Sequence, residues 1–562
     1  MKSSYDVAII GAGMGGASLA AILARQGLSV IVFEARQHPK FAIGESTILE
    51  TSEMMRALAH YYDVPELAYC SSENYLGYAG TSHGVKRHFG FVQHTQGEYP
   101  SPAGVLQAVI PRQPYGHEVH IYRQDSDYFL TALAISLGAH VLQNTPVADL
   151  DIRSDGVLVT TQGGARYRAR FIVDAGGFRS LIAQKLGLRR YDLQTHTRGM
   201  FTHMVDVPGF DEVAVPRRQT GVPFLWSEGT LHHLFEGGWL WVIPFNNHPA
   251  STNPLCSVGL LLDPRVHPQQ DALSPEAEFA AHIARFPALE KQFRGAKAVR
   301  PWSRAPRLQY ASTQVAGARW ALLGHAAGFI DPLFSKGLYV THMAVMVLAD
   351  ALLYAFRDDD FSPQRFAQYQ RMAQGYIAMH DRLCANAIKS WAHPDLWRVY
   401  SVQWLLGAYL EYLMLSIARM RAADRGTFLT LLQHNRLAGG GFAEFFHLQE
   451  KVDTLFEGVN PKDATQVAAV VQESRALFEA FPWLPAPFRA VLHGATHLPR
   501  NKIRLSLLSP QRGFMGDGAY RRHFFGRMSL PELLRHGARD QIRYSRTFLQ
   551  WQRRREHPHL AI

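Results

Sequence analysis

The sequence of 562 residues predicts an α/β protein that contains a Rossmann-like dinucleotide-binding unit. Three observations predict this fold class. The apolar run Asp6–Ile10 suits a buried parallel strand, and it leads into the glycine-rich turn Gly11–Gly16. A helical pattern, Ala17–Arg25, follows, and a second apolar strand, Ser29–Phe33, ends at an acidic residue. Strand, glycine turn, helix, strand and terminal acid within about 30 residues are typical of a dinucleotide-binding unit.

Three glycines of the turn and the acid after the second strand each have a physical role in this unit. Gly11 permits the tight turn, Gly13 lets a pyrophosphate approach the backbone, and Gly16 lets the helix pack closely on the strand. The free N–H groups and positive dipole end of the helix favour phosphate. Glu34 can accept hydrogen bonds from ribose hydroxyls, which argues against a 2′-phosphate on the ligand.

The elements that follow predict a further sheet region and then a helical region. Val157–Thr161 and Tyr167–Val173 form a predicted hairpin, and Trp320–Leu323 is another apolar strand before a long apolar helix near 338–356. The polar segment 357–363 marks the predicted domain boundary. We therefore expect a core over 1–360, with substrate-region insertions at about 75–120 and 195–300, and a mainly helical domain over 361–562.

Composition excludes several classes of protein. With 47% hydrophobic and 19% charged residues the chain can bury a large core and is not disordered. The three cysteines lack C-x-x-C spacing, which indicates a reduced, cytoplasmic setting, and the 27 histidines show no spacing typical of a metal site. The N-terminus enters a strand at once, which predicts no signal peptide. The apolar stretch 400–420 is interrupted by Gln403, Glu411 and Arg419, so we expect a buried helix and not a membrane span.

The net charge of +11 is concentrated at the C-terminus. From Arg500 to Ile562 there are 14 Lys and Arg against 4 Asp and Glu, a balance of +10. Arg535, Arg539, Arg543 and Arg546 follow helical spacing, so the charge is expected along one solvated helix face. A docking patch for an acidic partner is the alternative, and a nucleic-acid site is not predicted.

The short string Trp239-Leu-Trp241-Val-Ile-Pro244 is the most informative of the sequence. Alternation places Trp239, Trp241 and Ile243 on one face of a strand, and Pro244 ends its ladder. By itself the string would indicate an aromatic strand packed on a core. It matches the WxWxIP signature of the flavin-dependent halogenases, and the chain resembles this family.

Other segments carry the resemblance further. Arg123–Leu130, Asp174–Ser180 and Gly324–Pro332 resemble, in this order, the FAD-binding fold of the aromatic hydroxylase and halogenase superfamily. The resemblance implies FAD as cofactor, with contacts from Arg123 and from Asp331, because His325 stands where an aspartate is usual. It also implies flavin contacts from a turn, Gly44–Thr47, that contains Ser46 and Thr47, and from Leu338.

The resemblance implies further site residues. Lys86, before an aromatic strand, matches the essential lysine of the family, and Arg87 is the fallback; without the resemblance, an exposed loop lysine would be the expectation. The two tryptophans would separate flavin from substrate.

The loop Pro332–Leu338 resembles the halide-binding loop of the family, with Ser335, Lys336 and Gly337 at the halide. The Lys336 side chain would either add charge for the halide or point to solvent. Phe334 replaces a glutamate of the tryptophan halogenases, which argues against tryptophan as substrate.

The resemblance implies a function. We expect an FADH2-dependent halogenase that chlorinates or brominates an electron-rich arene, a pyrrole or a phenol, through a flavin hydroperoxide and hypohalous acid. Three stretches, 84–91, 228–249 and 329–337, resemble the pyrrole halogenases that chlorinate a free aminophenylpyrrole. A separate flavin reductase is implied, since no second dinucleotide fingerprint is present. The alternatives are an aromatic monooxygenase, a halogenase for a carrier-tethered substrate, and a flavin-binding protein without turnover.

Overall fold

The computed structural model describes residues 4–113, 116–214, 217–500, 518–539 and 542. Its strands are Ser4–Ile10 (β1), Val30–Phe33 (β2), Gly84–Lys86 (β3), His88–Gln93 (β4), Val105–Val109 (β5), Glu118–His120 (β6), His140–Leu142 (β7), Val147–Ile152 (β8), Val157–Thr161 (β9), Arg166–Asp174 (β10), Arg189–Arg190 (β11), Arg198–Val205 (β12), Thr230–Phe235 (β13), Gly238–Pro244 (β14), Cys256–Leu262 (β15), Lys297–Ala298 (β16), Ser303–Ala305 (β17), Ala311–Ser312 (β18), Ala316–Gly317 (β19) and Trp320–Leu322 (β20).

The helices surround these strands and fill most of the C-terminal third. They are Met14–Arg25 (α1), Leu49–Tyr62 (α2), Pro65–Tyr69 (α3), Tyr75–Tyr78 (α4), Arg123–Ser136 (α5), Leu181–Lys185 (α6), Phe210–Val213 (α7), Arg217–Thr220 (α8), Pro275–Ile283 (α9), Pro287–Phe293 (α10), Lys336–Asp358 (α11), Ala367–Ser390 (α12), Pro394–Arg421 (α13), Arg425–Leu431 (α14), Ala443–Gly458 (α15), Ala464–Ala480 (α16), Ala486–Leu492 (α17), Gly518–Tyr520 (α18) and 530–539 (α19).

The first sheet is the predicted Rossmann-like sheet. Its strands follow the order β19-β20-β10-β1-β2-β7, in which β20, β10, β1, β2 and β7 run parallel to one another. The strands β9 and β10 form the predicted antiparallel hairpin. The turn after β1 therefore lies at the carboxyl edge of a parallel sheet, where ligands of open α/β sheets bind.

The second sheet joins the two predicted insertions. Its order is β16-β12-β15-β14-β13-β4-β5, with β17 beside β12, so strands from 88–109 pair with strands from 198–305. The predicted alternation along β14 is present. Trp239, Trp241 and Ile243 belong to the main hydrophobic cluster, whereas Leu240 and Val242 face a separate core with α9 and α10.

Helix α11 is the only helix in the described part of the chain that is long and apolar enough to cross a membrane. Of its most apolar window, 67% is buried inside the protein. It packs against α1, α2 and α12, which is the position of a core helix. The predicted buried helix at 400–420 lies within α13.

The C-terminal helices share one hydrophobic cluster with the first sheet, because residues of α12, α13 and α15 join it. The division into domains at 360 stays a prediction. Of the basic face, Arg535 and Arg539 lie on α19 and are exposed, and Arg543 and Arg546 lie outside the described residues.

A buried ion-pair cluster joins α2 to α13. Glu53 accepts hydrogen bonds from Arg56, at 2.6 Å, and from Arg419. All three side chains are almost fully buried. Burial opposes ionisation of Glu53, but the two guanidinium groups outweigh it and lower its pKa to about 2.

Replacing Glu53 by Gln is expected to destabilise the protein in a pH-dependent manner. The folded-state pKa of Glu53 is below its usual 4.5, so its contribution is full above that pH and is lost as the pH falls towards 2. The shift corresponds to about 3 kcal/mol at neutral pH. Urea unfolding of wild type and Glu53→Gln from pH 7 to pH 3 measures the difference.

The control is Asp63→Asn at the exposed end of α2, where the ion pair with Arg25 is solvent-screened. It should change the free energy of unfolding little at any pH. An equal loss for Glu53→Gln at pH 7 and pH 3 would contradict the assignment.

Candidate active site

A large cavity lies between the carboxyl edge of the first sheet and the inner face of the second. Its volume is about 740 Å³, within the range of cofactor and ligand sites. Eight of the predicted site residues line it: Ser46, Arg123, Trp239, Trp241, Asp331, Ser335, Gly337 and Leu338. Positions as far apart in the sequence as Ser46 and Leu338 therefore meet at one cavity.

The predicted phosphate turn is a glycine-rich cradle whose backbone is open at Gly13. Gly11 has a φ of +92°, and a Cβ there would lie 2.8 Å from the Ala175 carbonyl oxygen. At Gly13, by contrast, the nearest atom to an added Cβ is an Asp127 oxygen 3.8 Å away. Gly13 precedes the first turn of α1, and no side chain caps that helix. Its amide groups are thus left for an anion.

Glu34 is held beside this cradle. Its Oε2 accepts a hydrogen bond from the Ala12 amide at 2.8 Å, and its Oε1 accepts one from the Arg36 amide at 2.9 Å. Lys40 forms an ion pair with it at 2.5 Å. Burial opposes this charge, but Lys40 and the amides lower the pKa of Glu34, so it stays an ionised acceptor.

Arg123 links the cradle to the large cavity. Its guanidinium pairs with Asp127 and donates to the Ile43 carbonyl at 2.6 Å, which fixes the turn that carries Ser46. Thr47, predicted to contact the flavin, does not line the cavity. The Thr47 hydroxyl and the Val119 backbone exchange two hydrogen bonds, so its polar atom is used within the protein.

Asp331 lies on the cavity wall beside the start of α11. Its carboxylate accepts hydrogen bonds from the Leu333 amide at 3.0 Å and from the Thr197 hydroxyl at 3.2 Å. Burial nevertheless raises its pKa to about 7. His325 also lines the cavity, and burial lowers its pKa to about 4, so it is neutral at physiological pH.

A second, smaller cavity of about 120 Å³ lies on the other side of an aromatic wall. We use this name for five side chains in successive ring contact: Trp239, His232, Phe89, Trp404 and Phe334. Ring centroids along this series are 5.3, 5.8, 5.0 and 4.9 Å apart. Trp239 and His232 line the large cavity, and the other three line the small one.

Lys86 is embedded where the two cavities approach each other. It is fully buried, and its Nζ donates to the Ser335 Oγ at 3.2 Å. The same Nζ lies 3.5 Å from the centroid of Phe89. Burial lowers the pKa of Lys86 well below its usual value, and Glu118 and Glu50 offset this only in part. The lysine thus touches a residue of each cavity.

Arg87, the fallback, points elsewhere because successive residues of an extended chain face opposite sides. It pairs with Glu228, and its guanidinium lies 5.7 Å from the Phe224 ring.

The predicted halide loop begins α11. Ser335 has a φ of +54°, in the left-handed region, and no side chain caps the helix. Ser335 and Gly337 line the large cavity, whereas Lys336 lines the small one.

Both expectations for the Lys336 side chain were wrong. It neither points to solvent nor adds free charge for a halide. Its ammonium group is buried between Glu50, at 2.6 Å, and Glu411, at 2.9 Å. Only the backbone of Lys336 is left as a candidate halide contact.

The two tryptophans have different surroundings. Trp239 stacks on His232 and so belongs to the aromatic wall. Trp241 also lines the large cavity, and its Nε1 donates to the Ser257 hydroxyl at 3.2 Å. Gly259, directly opposite on β15, leaves room for its indole, since a Cβ there would lie 2.1 Å from the ring.

Sequence reasoning missed several residues of this region. Trp404 and Glu411 come from α13, in a part of the chain where no motif was present. Glu50 follows the turn at Gly44–Thr47 by only a few residues, and that proximity was the signal that could have found it. Among the described residues, no cluster of three or more His, Cys, Asp or Glu could hold a metal ion.

The Rossmann-like sheet, the phosphate cradle and the large cavity define a dinucleotide-binding enzyme fold with a second sheet. A family profile described as tryptophan halogenase matches residues 107–383, and one for an NAD(P)-binding Rossmann-like domain matches 9–61. The chain is 44% identical to tetracycline 7-halogenase of Kitasatospora aureofaciens over 70% of this chain and 71% of that protein. It is 42% identical to monodechloroaminopyrrolnitrin halogenase PrnC of Pseudomonas fluorescens over 84% and 85%.

Among solved structures, halogenase PltM in complex with phloroglucinol and FAD aligns with a TM-score of 0.83 and 32% identity, covering 88% of this chain and 99% of that chain. The chain belongs to the flavin-dependent halogenases. It is an FAD-dependent enzyme, which confirms the predicted family, fold class and cofactor. The residues present fit FAD, since the open space at Gly13 and the bare start of α1 accept a pyrophosphate.

Gly13→Ala and Gly16→Ala should separate cofactor binding from folding. An Ala at 13 has the space it needs in the protein but fills the cradle, so we expect an unchanged melting temperature of the apoprotein and at least about tenfold weaker FAD binding. At 16 the added Cβ would lie 2.1 Å from the Gly11 carbonyl oxygen. This variant should melt several degrees lower without cofactor.

Thermal unfolding of both apoproteins and FAD titration by fluorescence quenching measure the two effects. Wild-type FAD affinity in Gly13→Ala would show that the pyrophosphate lies elsewhere.

Proposed function

We propose that this halogenase acts on a small, electron-rich arene, a pyrrole or a phenol, that binds in the small cavity. The observation that carries the proposal is the position of Lys86, within 3.2 Å of Ser335 on one side and against Phe89 on the other. Bound reduced FAD, with oxygen and a halide ion, supplies an electrophilic halogen in the large cavity. A buried lysine between the cavities is suited to hold that halogen and present it to the ring.

We assign the other roles by the same geometry. The backbone amides at 335–338, at the bare start of α11, are suited to a chloride or bromide ion. Gly11, Gly13, Gly16, Glu34 and Arg123 hold the cofactor, together with Ser46, Asp331 and Leu338. Trp239, through the aromatic wall, keeps the arene away from the flavin, and Trp241 shapes the cofactor cavity.

The partners follow from this chemistry. A separate flavin reductase supplies the reduced cofactor. We favour a freely diffusing substrate over a carrier-tethered one, because the two relatives described above are named after small molecules, tetracycline and monodechloroaminopyrrolnitrin. We place the enzyme in the cytoplasm, and we assign the exposed arginines of α19 to a solvated face and not to nucleic acid.

An aromatic monooxygenase on the same fold would need its substrate in contact with the flavin. The aromatic wall argues against this, since ring contacts run from Trp239 to Phe334 between the two cavities. The product mass separates these functions. Purified protein with FAD, a flavin reductase, NADH and chloride, tested on phenols, pyrroles and indoles, should add halogen and not one oxygen.

Lys86→Ala should abolish halogenation, by at least about 100-fold, because the halogen then has no carrier between the cavities. FAD binding and flavin reoxidation by oxygen should stay nearly unchanged, since the cofactor residues are untouched. Steady-state product formation and stopped-flow flavin absorbance measure the two. The matched control is Arg87→Ala, whose side chain faces Glu228, away from both cavities. Retained halogenation in Lys86→Ala would overturn the role of this lysine.

A further inference from the structure

The small cavity presents an unused hydrogen-bond donor. Gln113 lines it and is 5% exposed. Its Oε1 accepts from Arg56 at 3.3 Å and from the Tyr412 hydroxyl at 3.1 Å, which fixes the orientation of the amide. Its Nε2 is buried and has no partner in the described part of the chain.

The same cavity presents an unused acceptor. Glu50 lines it and is 4% exposed. Lys336 donates to its Oε1 at 2.6 Å, and the hydrogen bonds of the described residues leave Oε2 without a donor. Lys336 is shared with Glu411, whose Oε2 also accepts from the Ala438 amide at 2.9 Å. Two carboxyl groups thus share one ammonium group beside the cavity, and burial raises the pKa of Glu411.

The other walls are apolar and aromatic, chiefly Phe89, Phe334 and Trp404. Phe334 and Trp404 stack at 4.9 Å with an interplanar angle of 22°. A volume of about 120 Å³ is of the size that holds one aromatic ring. A buried donor and a buried acceptor each cost free energy until a ligand pairs with them, so the cavity selects a ring that carries both functions.

We propose that the small cavity binds a phenol whose hydroxyl donates to Glu50 and accepts from the Gln113 amide, and that Glu50 takes the phenolic proton as the halogen is added. This inference rests on the proposed function and narrows its substrate class from pyrrole or phenol to phenol. It assigns the role of proton acceptor to Glu50 on α2. The proposed halide loop carries Phe334, which cannot accept a proton.

The step balances with hypochlorous acid as the oxidant. A ring carbon forms a C–Cl bond while the O–Cl bond breaks, and the phenolic O–H electrons enter the ring as the proton passes to Glu50. The hydroxide that leaves takes a proton from the ammonium form of Lys86 and departs as water. The ring C–H proton then passes to the Lys86 amine, and Glu50 returns its proton to the oxygen. The net reaction is phenol plus hypochlorous acid to chlorophenol plus water.

The first test uses the wild-type enzyme with resorcinol, 3-methoxyphenol and 1,3-dimethoxybenzene, which carry two, one and no hydroxyl donors on similarly electron-rich rings. Rates with free hypochlorous acid in buffer correct for intrinsic reactivity. After this correction, kcat/KM should fall at least about 100-fold from resorcinol to 1,3-dimethoxybenzene. An equal corrected kcat/KM for the three compounds would overturn the proposal.

The second test uses Glu50→Gln, Gln113→Leu and Glu411→Gln. Glu50→Gln should lower kcat for resorcinol about 100-fold, and it should lower the rate with 1,3-dimethoxybenzene far less. Gln113→Leu should raise KM with little change in kcat. Glu411→Gln is the control, because it also removes a partner of Lys336. If Glu50 had only a structural role, both glutamate variants should lose activity equally on every substrate. That result would contradict a proton-accepting role.

Two different results separate the proposed function from the assignment of Glu50 and Gln113. If no arene is halogenated while flavin is reoxidised, the proposed function itself is wrong. If arenes are halogenated without regard to a hydroxyl donor, only the assignment of Glu50 and Gln113 is wrong.

Discussion

The burial of the Lys86 ammonium group among aromatic rings is the constraint on which the rest of the site depends. An amine taken out of water loses its hydration, and within the described residues it has a hydroxyl and a ring face as close partners but no carboxylate in ion-pair contact. Burial therefore lowers its pKa strongly. A lysine in this setting gives up its proton more readily than a surface lysine does. Because Lys86 lies between the two cavities, its lowered pKa can serve the proposed transfer of halogen to the ring.

Several distant segments are needed to hold that lysine. The strand β3 carries it, β13 and β14 supply His232 and Trp239, and the start of α11 supplies Ser335. Helix α13 closes the far side with Trp404 and holds Lys336 through Glu411. The helical C-terminal region is thus part of the site and not an appendage.

Local patterns predicted the parts of this site that depend on neighbours in sequence. The glycine turn, the two flanking strands and the alternation of Trp239 and Trp241 each follow from steric rules that act over a few residues. The surroundings of Lys336 and Thr47 were out of reach, because whether a polar side chain faces a cavity or a buried partner is decided by contacts between residues 72 to 286 positions apart. Glu50, Gln113 and Trp404 belong to no motif, and only the packing of α2, α13 and the segment between β5 and β6 brings them together.

The central claim is that the aromatic wall keeps the organic substrate from the flavin, so that a halide ion is the species that reacts first. The most direct test omits the halide. Wild-type enzyme with reduced FAD, oxygen and an accepted arene in halide-free buffer should release hydrogen peroxide in stoichiometric amount and leave the arene unmodified. A hydroxylated arene under these conditions would show that the substrate reaches the flavin, and it would contradict the account.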